Sequence, residues 1–168
     1  MDRSERPVVF LDIDGVLNHV RLYRWMRDRA GPPAEWLDPA CIARVNTLCK
    51  RTGAKLVISS AWRTYEIPGT TERGWRGTAE VLRARGLDAE VIDGTPVIES
   101  PPSASGLVVA AGRWPEIRAW LDAHPEVERW VVLDDMLLPE VPPGRHVRTD
   151  IEVGLTNADV ERAVECLR

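Results

Sequence analysis

The sequence has few cysteines and no long apolar run. Its three cysteines, Cys41, Cys49 and Cys166, form no CxxC pair, so we expect no disulfide framework and a reducing, cytoplasmic location. No apolar stretch reaches the ~18 residues of a membrane span, and the polar opening MDRSERP lacks a signal-peptide core. We therefore expect no membrane association. A net charge of −4 gives no overall attraction to nucleic acid or lipid headgroups.

Common catalytic motifs are also missing. There is no Walker loop, GxGxxG, HExxH or GxSxG pattern, and the three histidines show no metal-ligand spacing. An EF-hand does not fit DIDG, because Val16 and Leu17 stand where that loop needs an oxygen donor and a glycine. Only two of the 22 basic residues are lysines, Lys50 and Lys55, so a catalytic cation later in the chain must be an arginine.

Four short segments are predicted to be buried strands. They are VVFL (8–11), KLVIS (55–59), WVVLD (130–134) and HVRT (146–149). The first three are continuous apolar runs, which are typical of parallel strands covered on both faces. A weaker strand, AEVI (89–92), precedes an expected turn at Asp93-Gly94.

Helix signals stand between these strands. Asp38 and Pro39 begin one helix, and a capping box of Thr156 and Asp159 begins the last. Further helices are predicted at about 77–85 and from Pro115 onward. The alternation of strands and helices predicts an α/β fold with a doubly wound, mainly parallel sheet. The length suits a single domain over residues 1–168.

Polar side chains follow three of the predicted strands. In open α/β sheets, ligands bind at the carboxyl ends of the strands. These ends carry paired aspartates twice and paired serines once: Asp12 and Asp14, Ser59 and Ser60 with Arg63 close behind, and Asp134 and Asp135. Any one set would serve as a helix cap. Doubled carboxylates at two ends instead favour a hard cation with oxygen ligands, of which Mg²⁺ is the usual one.

These segments resemble the motifs of haloacid dehalogenase (HAD) superfamily phosphatases. FLDIDGVLN resembles the first motif, LVISSAWR the second and WVVLDD the fourth, in the order of the family. These stretches, with a late GLT before the final helix, are similar to the HAD domains of Swiss Army Knife RNA-repair proteins. The resemblance implies a HAD-like Rossmannoid fold and a phosphatase, a phosphoric monoester hydrolase.

The resemblance also implies roles for the four aspartates. Asp12 would attack phosphorus and form an aspartyl-phosphate. Asp14 would protonate the leaving oxygen and then deprotonate water. Mg²⁺ would be held by Asp12, by the backbone carbonyl of Asp14 and by Asp134 or Asp135.

The resemblance also implies residues that bind the phosphoryl group or neutralise the charge of the phosphate and the aspartates. Ser59 is expected to hydrogen-bond the phosphoryl group, with Ser60 as the alternative, because a shift of one residue moves a side chain to the other face of a strand. The basic residue of the third motif is Arg113, with Arg118 as the alternative. Arg63 would add positive charge if it points inward.

The segment of about 18–37 is an insert too small for a helical-bundle cap. We therefore expect a site with little or no cap, which suits a large substrate. The insert carries Arg21, Arg24, Arg27 and Arg29, with the aromatic residues Tyr23 and Trp25 and also Met26 among them. Arginines beside aromatic residues fit phosphate contacts and base stacking. The alternative is an amphipathic helix that packs Leu22, Trp25 and Met26.

The expected substrate is a terminal phosphate of RNA or DNA, with Arg21 and Arg24 among the binding residues. Two alternatives remain: a phosphatase for nucleotides or sugar phosphates, and a non-catalytic phosphate-binding module on the same scaffold. The sequence leaves open the oligomeric state and whether partner repair enzymes, such as a kinase or a ligase, act alongside.

Overall fold

Strands and helices alternate through the part of the chain that the computed structural model describes, residues 6–27, 36–99 and 112–168. A 3-10 helix, Ala61–Thr64, follows the second strand. The other elements, in chain order, are β1 (Val8–Leu11), α1 (Val20–Met26), α2 (Pro39–Thr52), β2 (Lys55–Ile58), α3 (Gly74–Ala84), β3 (Val91–Gly94), α4 (Arg113–Ala123), β4 (Trp130–Asp134), β5 (His146–Arg148) and α5 (Asn157–Cys166). No helix among these residues is long and apolar enough to cross a membrane.

The five strands form one parallel sheet in the order β3-β2-β1-β4-β5. Helices α2, α3 and α5 bury their apolar sides with Val9 and Leu11 of β1 on one face. Helix α4 packs with Val8 and Phe10 on the other face. The predicted α/β fold with a doubly wound parallel sheet is confirmed. That residues 1–168 form one domain stays a prediction.

The register of β1 aligns the three strand ends that carry polar residues. Leu11 pairs with Ile58 of β2 on one side and with Leu133 of β4 on the other. The residues that follow these three, including Asp12 and Asp134, therefore lie at one level of the carboxyl edge. This alignment brings side chains from distant parts of the chain into one site.

Several helix ends lie where the sequence predicts them. The Asp38 carboxylate accepts a hydrogen bond from the amide of Ala40 at the start of α2. Gly53 ends that helix with φ 73°, a conformation that glycine adopts without strain. Thr156 and Asp159 form the reciprocal capping box of α5.

The prediction of a turn at Asp93-Gly94 is wrong, because both residues belong to β3. The Asp93 carboxylate accepts a hydrogen bond of 2.7 Å from the indole nitrogen of Trp120 in α4. A Cβ on Gly94 would lie 2.6 Å from the Cβ of Trp75, so this glycine allows close packing rather than a turn. Helix α4 begins at Arg113 rather than at Pro115, which places Arg113 in its first turn.

The insert is closed at its base by a pair of side chains. His19 Nε2 lies 2.8 Å from the Asp38 carboxylate, and the Asp38 amide donates to the carbonyl of Leu17. His19 Nδ1 accepts from the Leu22 amide and caps α1. Between these ends the described part of the insert is one short helix, and the described residues contain no cap domain. Arg29 lies outside the described residues.

Gly154 holds the loop after β1 against the turn before α5. It has φ 68°, and a Cβ there would lie 2.9 Å from the carbonyl oxygen of Val16 and 3.1 Å from Cys41 Sγ. The next residue, Leu155, donates its amide to the same Val16 carbonyl at 2.9 Å. A side chain at 154 would therefore push the loop that follows Asp14 away from its support.

Replacing Gly154 by alanine should destabilise the protein more than replacing Gly53, which has a similar φ but open space around it. For Gly53→Ala we expect a loss of about 1–2 kcal/mol from the left-handed backbone alone. For Gly154→Ala we expect about 3 kcal/mol or more, because overpacking adds to that loss. Urea unfolding followed by tryptophan fluorescence measures both. Equal losses would contradict the close packing at Gly154.

Candidate active site

Arg113 connects the two buried aspartates at the carboxyl edge of the sheet. Its Nη2 lies 3.2 Å from Asp12 Oδ1, and its Nε donates to Asp134 Oδ2 at 2.8 Å. Of the two arginines considered for the third motif, Arg113 therefore lies in the site. Arg118 is exposed on α4 and faces Asp122 at 3.9 Å.

Burial has the largest effect on the pKa of Asp12 when no cation is bound next to it. Desolvation raises its pKa to about 7; Arg113 opposes this rise and Asp134 adds to it. The Ser60 hydroxyl also acts to lower the pKa of Asp12. An ionised Asp12 at neutral pH thus depends on positive charge held close to it.

Asp12, Asp134 and Asp135 form a cluster that fits a divalent cation. One oxygen from each carboxylate lies within 4.8 Å of the other two. Arg113 contacts Asp12 and Asp134 only, and burial, with Asp134 next to it, raises the pKa of Asp135. Three carboxylates opposed by one arginine leave excess negative charge, and oxygen-only ligands suit Mg²⁺.

The two motif-four aspartates differ in how far they are already hydrogen-bonded. Asp134 is fully buried, and its oxygens accept from Arg113 Nε and from the amide of Met136 at 2.9 Å. Asp135 is partly exposed and packs on Gly15, where a Cβ would lie 2.4 Å from its Cγ. Asp135 is therefore the carboxylate with more freedom to bind a metal ion.

A second group of metal-ligating residue types has a structural explanation. His19, Asp38 and Cys41 also lie within 4.8 Å of one another through their ligand atoms. Both ring nitrogens of His19 are engaged, one with Asp38 and one with the Leu22 amide. This group closes the insert and carries no candidate metal site.

The two serines at the end of β2 have different surroundings. Ser59 follows the residue paired with Leu11 and is 1% exposed, and its hydroxyl has no hydrogen-bond partner in the structure. Ser60 caps the 3-10 helix by accepting from the Trp62 amide at 3.4 Å. The buried Ser59 hydroxyl thus keeps a free donor for a ligand, whereas the Ser60 hydroxyl is the one whose hydrogen bond lowers the pKa of Asp12. Which serine binds the phosphoryl group stays a prediction.

The expectation that Arg63 binds substrate needs correction. Its guanidinium is buried and donates to the carbonyls of Ser60, Thr95 and Pro96. It also pairs with the buried carboxylate of Glu116 at 2.6 Å. The sequence left open whether Arg63 points inward. It does, but these contacts give it a structural role between the 3-10 helix and α4.

Asp14 is held by three donors that the sequence analysis did not identify. Its Oδ1 accepts from Asn18 Nδ2 at 2.7 Å and from the Tyr23 hydroxyl at 3.3 Å, and its Oδ2 accepts from the Trp62 indole at 3.1 Å. Asn18 and Trp62 stand inside the stretches FLDIDGVLN and SSAWR. Their position in those stretches is the signal that could have identified them.

Thr149 also supports the loop after β1. Its buried hydroxyl donates to the carbonyl of Gly15 at 2.8 Å. The Gly15 amide, in turn, donates to Asn18 Oδ1 at 3.0 Å. These contacts to the amide and to the carbonyl of Gly15 fix the backbone next to Asp14.

Helix α1 carries its basic residues on the surface. Arg21 and Arg24 are both exposed, and Arg24 pairs with Glu152 at 3.3 Å. Met26 is buried, whereas Trp25 is 60% exposed. The helix therefore packs through Met26 as the amphipathic alternative expects, but it leaves Trp25 largely exposed.

The fold is a Rossmann-like α/β sheet of the HAD type, with acidic residues at its carboxyl edge. A family model for HAD domains in Swiss Army Knife RNA repair proteins matches residues 8–160. The chain belongs to this family, and the resemblance predicted from its motifs is confirmed. Membership indicates a hydrolase of the phosphatase type. Neither a curated protein nor a solved structure gives a significant match.

Magnesium and loss of the Asp12 charge should each raise the melting temperature. The pKa of Asp12 is higher in the folded than in the unfolded chain, so its ionisation costs stability as the pH rises from about 4 to about 7. In EDTA at pH 8, Asp12→Asn should therefore raise the melting temperature by about 5 °C.

Saturating Mg²⁺ should add about 2–3 kcal/mol to the free energy of unfolding of the wild type and much less to that of Asp12→Asn.

Asp122→Asn is the matched control, because this carboxylate is exposed on α4. Differential scanning fluorimetry should give it the wild-type midpoint and the wild-type response to Mg²⁺. A wild-type midpoint that Mg²⁺ does not change would contradict the metal site.

Proposed function

We propose that the protein is a Mg²⁺-dependent phosphomonoesterase that works through an aspartyl-phosphate on Asp12. Its proposed substrate is a terminal phosphate of RNA or DNA. The proposal is carried by the contact of Arg113 with Asp12 and Asp134, beside the third carboxylate of Asp135. Membership in a family of HAD domains from RNA repair proteins supports the same reaction class.

The side chains divide the reaction between them. A carboxylate oxygen of Asp12 attacks phosphorus, while Asp14 gives a proton to the leaving oxygen. Arg113 and the hydroxyl of Ser59 bind the phosphoryl oxygens. Asp14 then takes a proton from the water that releases phosphate from Asp12. Mg²⁺, held by Asp12, Asp134 or Asp135 and the carbonyl of Asp14, would neutralise charge on the transferring phosphoryl group.

The surroundings of the site support a large substrate. Exposed apolar side chains lie in segments that follow the carboxyl ends of β1, β4 and β5: Trp25, Trp36, Met136, Leu137 and Ile151. Trp25 is 60% and Trp36 39% exposed, and exposed indoles can stack on bases of a single strand. Arg21 and Arg24 on the same insert add positive charge for a phosphate backbone.

Phosphate release from a 3′-phosphorylated oligonucleotide tests the proposed reaction. The wild type with Mg²⁺ should release phosphate, and Asp12→Asn should lose at least about a thousandfold in rate because the nucleophile is removed. Asp122→Asn should keep the wild-type rate. Turnover of free nucleotides alone would contradict the nucleic-acid substrate and favour a small-molecule phosphatase. No metal-dependent phosphate release from any monoester would overturn the enzyme proposal.

The salt dependence of oligonucleotide turnover tests the insert. If Arg21 and Arg24 contact backbone phosphates, Arg21→Gln and Arg24→Gln should each reduce the slope of log kcat/KM against log salt by about 0.7. Arg118→Gln removes an exposed arginine on α4 that pairs with Asp122 and should leave the slope unchanged. The same reduction in all three variants would mean that only overall charge matters.

A further inference from the structure

The three donors around Asp14 define which of its oxygens can carry a proton. We propose that the proton Asp14 delivers to the leaving group resides on Oδ2, and that Asn18, Tyr23 and Trp62 are positioning residues that fix this oxygen. The inference rests on the proposed function, because it concerns the acid–base residue of that reaction. It assigns a role to the insert, since Tyr23 lies on α1.

The hydrogen bonds to Asp14 are unequal for its two oxygens. Oδ1 accepts two, from Asn18 at 2.7 Å and Tyr23 at 3.3 Å, so both lone pairs of this oxygen are used. Oδ2 accepts one, from the Trp62 indole at 3.1 Å, and keeps one lone pair. A proton on Oδ2 is compatible with all three bonds, whereas a proton on Oδ1 would displace a donor.

The direction of each hydrogen bond is fixed by its own surroundings. The Asn18 carbonyl oxygen accepts from the Gly15 amide at 3.0 Å, so its amide nitrogen must face Asp14. An indole N–H can only donate. A carboxylate has no proton to give, and a phenol is protonated at neutral pH, so the Tyr23 hydroxyl donates to Asp14.

This arrangement gives a balanced path for one proton. As an Asp12 oxygen forms its bond to phosphorus, the bond from phosphorus to the leaving oxygen breaks, and that oxygen takes the proton from Asp14 Oδ2. A water molecule then attacks the aspartyl-phosphate and returns one proton to Asp14 Oδ2 while the bond from Asp12 to phosphorus breaks. The net reaction is hydrolysis of a monoester to an alcohol and phosphate.

Tyr23 connects the insert to this proton transfer. Its ring contacts Trp36, near the other end of the insert, with centroids 5.6 Å apart in an edge-to-face arrangement. Its hydroxyl contacts the carboxylate of Asp14. The insert thus supplies a donor to the acid–base residue in addition to its exposed surface.

Tyr23→Phe tests the proposal, because it removes the hydroxyl and keeps the ring against Trp36. An acid matters most for a leaving group that cannot depart without a proton. For an alkyl monoester such as a nucleoside 3′-phosphate or a 3′-phosphorylated oligonucleotide, kcat/KM should fall about tenfold, whereas for p-nitrophenyl phosphate it should fall less than about twofold. Tyr65→Phe, at the other tyrosine of the chain, which is exposed, should change neither.

Trp62→Phe provides a second test at Oδ2. It should show the same dependence on the leaving group, with a larger loss for the alkyl monoester than for p-nitrophenyl phosphate. A wild type that hydrolyses no monoester would overturn the proposed function itself. If the wild type is active and Asp14→Asn loses alkyl monoester hydrolysis, equal losses of Tyr23→Phe on both substrates, or no loss on either, would overturn only the positioning role.

Discussion

Negative charge gathered at the carboxyl edge of the sheet is the constraint on which the other features of the site depend. Like charges at this distance raise each other's pKa, and burial adds to the effect for Asp12. Arg113 reduces this cost by contacting Asp12 and Asp134 together. Because Arg113 is the first residue of α4, the position of a whole helix is tied to the charge balance of the site.

A second buried ion pair, between Arg63 and Glu116, also holds the first turn of α4. Glu116, in the same first turn as Arg113, pairs with Arg63 in the 3-10 helix after β2. Arg63 also binds backbone carbonyls at Ser60 and Thr95, beside β2 and β3. The first turn of α4 therefore connects to four strand ends. Buried pairs of this kind contribute little net stability, but breaking one leaves an uncompensated charge, so they favour one arrangement of these segments.

The sequence predicts most of the fold, because apolar runs and helix caps are local signals. The runs at β1, β2 and β4, the start of α2 at Asp38 and the capping box at Thr156 all lie where the residues predict them. The role of Arg63 could not be predicted, because its partner Glu116 is 53 positions away. Asn18 and Trp62 stand within the motif stretches, but only the folded chain defines that their side chains, and that of Tyr23 on α1, point to Asp14. Gly94 resembles a turn residue in sequence, yet it is required by the side chain of Trp75.

The contact between His19 and Asp38 makes the insert a distinct segment at the edge of the sheet. The described ends of the insert meet at this pair, so the chain leaves the edge of the sheet and returns to it at one place. The entropy of closing a loop grows only slowly with its length. A longer or shorter loop between these two residues is therefore expected to keep the register of β1, provided that Tyr23 still donates to Asp14. Such a change would alter the surface beside the site while the aspartates and Arg113 stay in place.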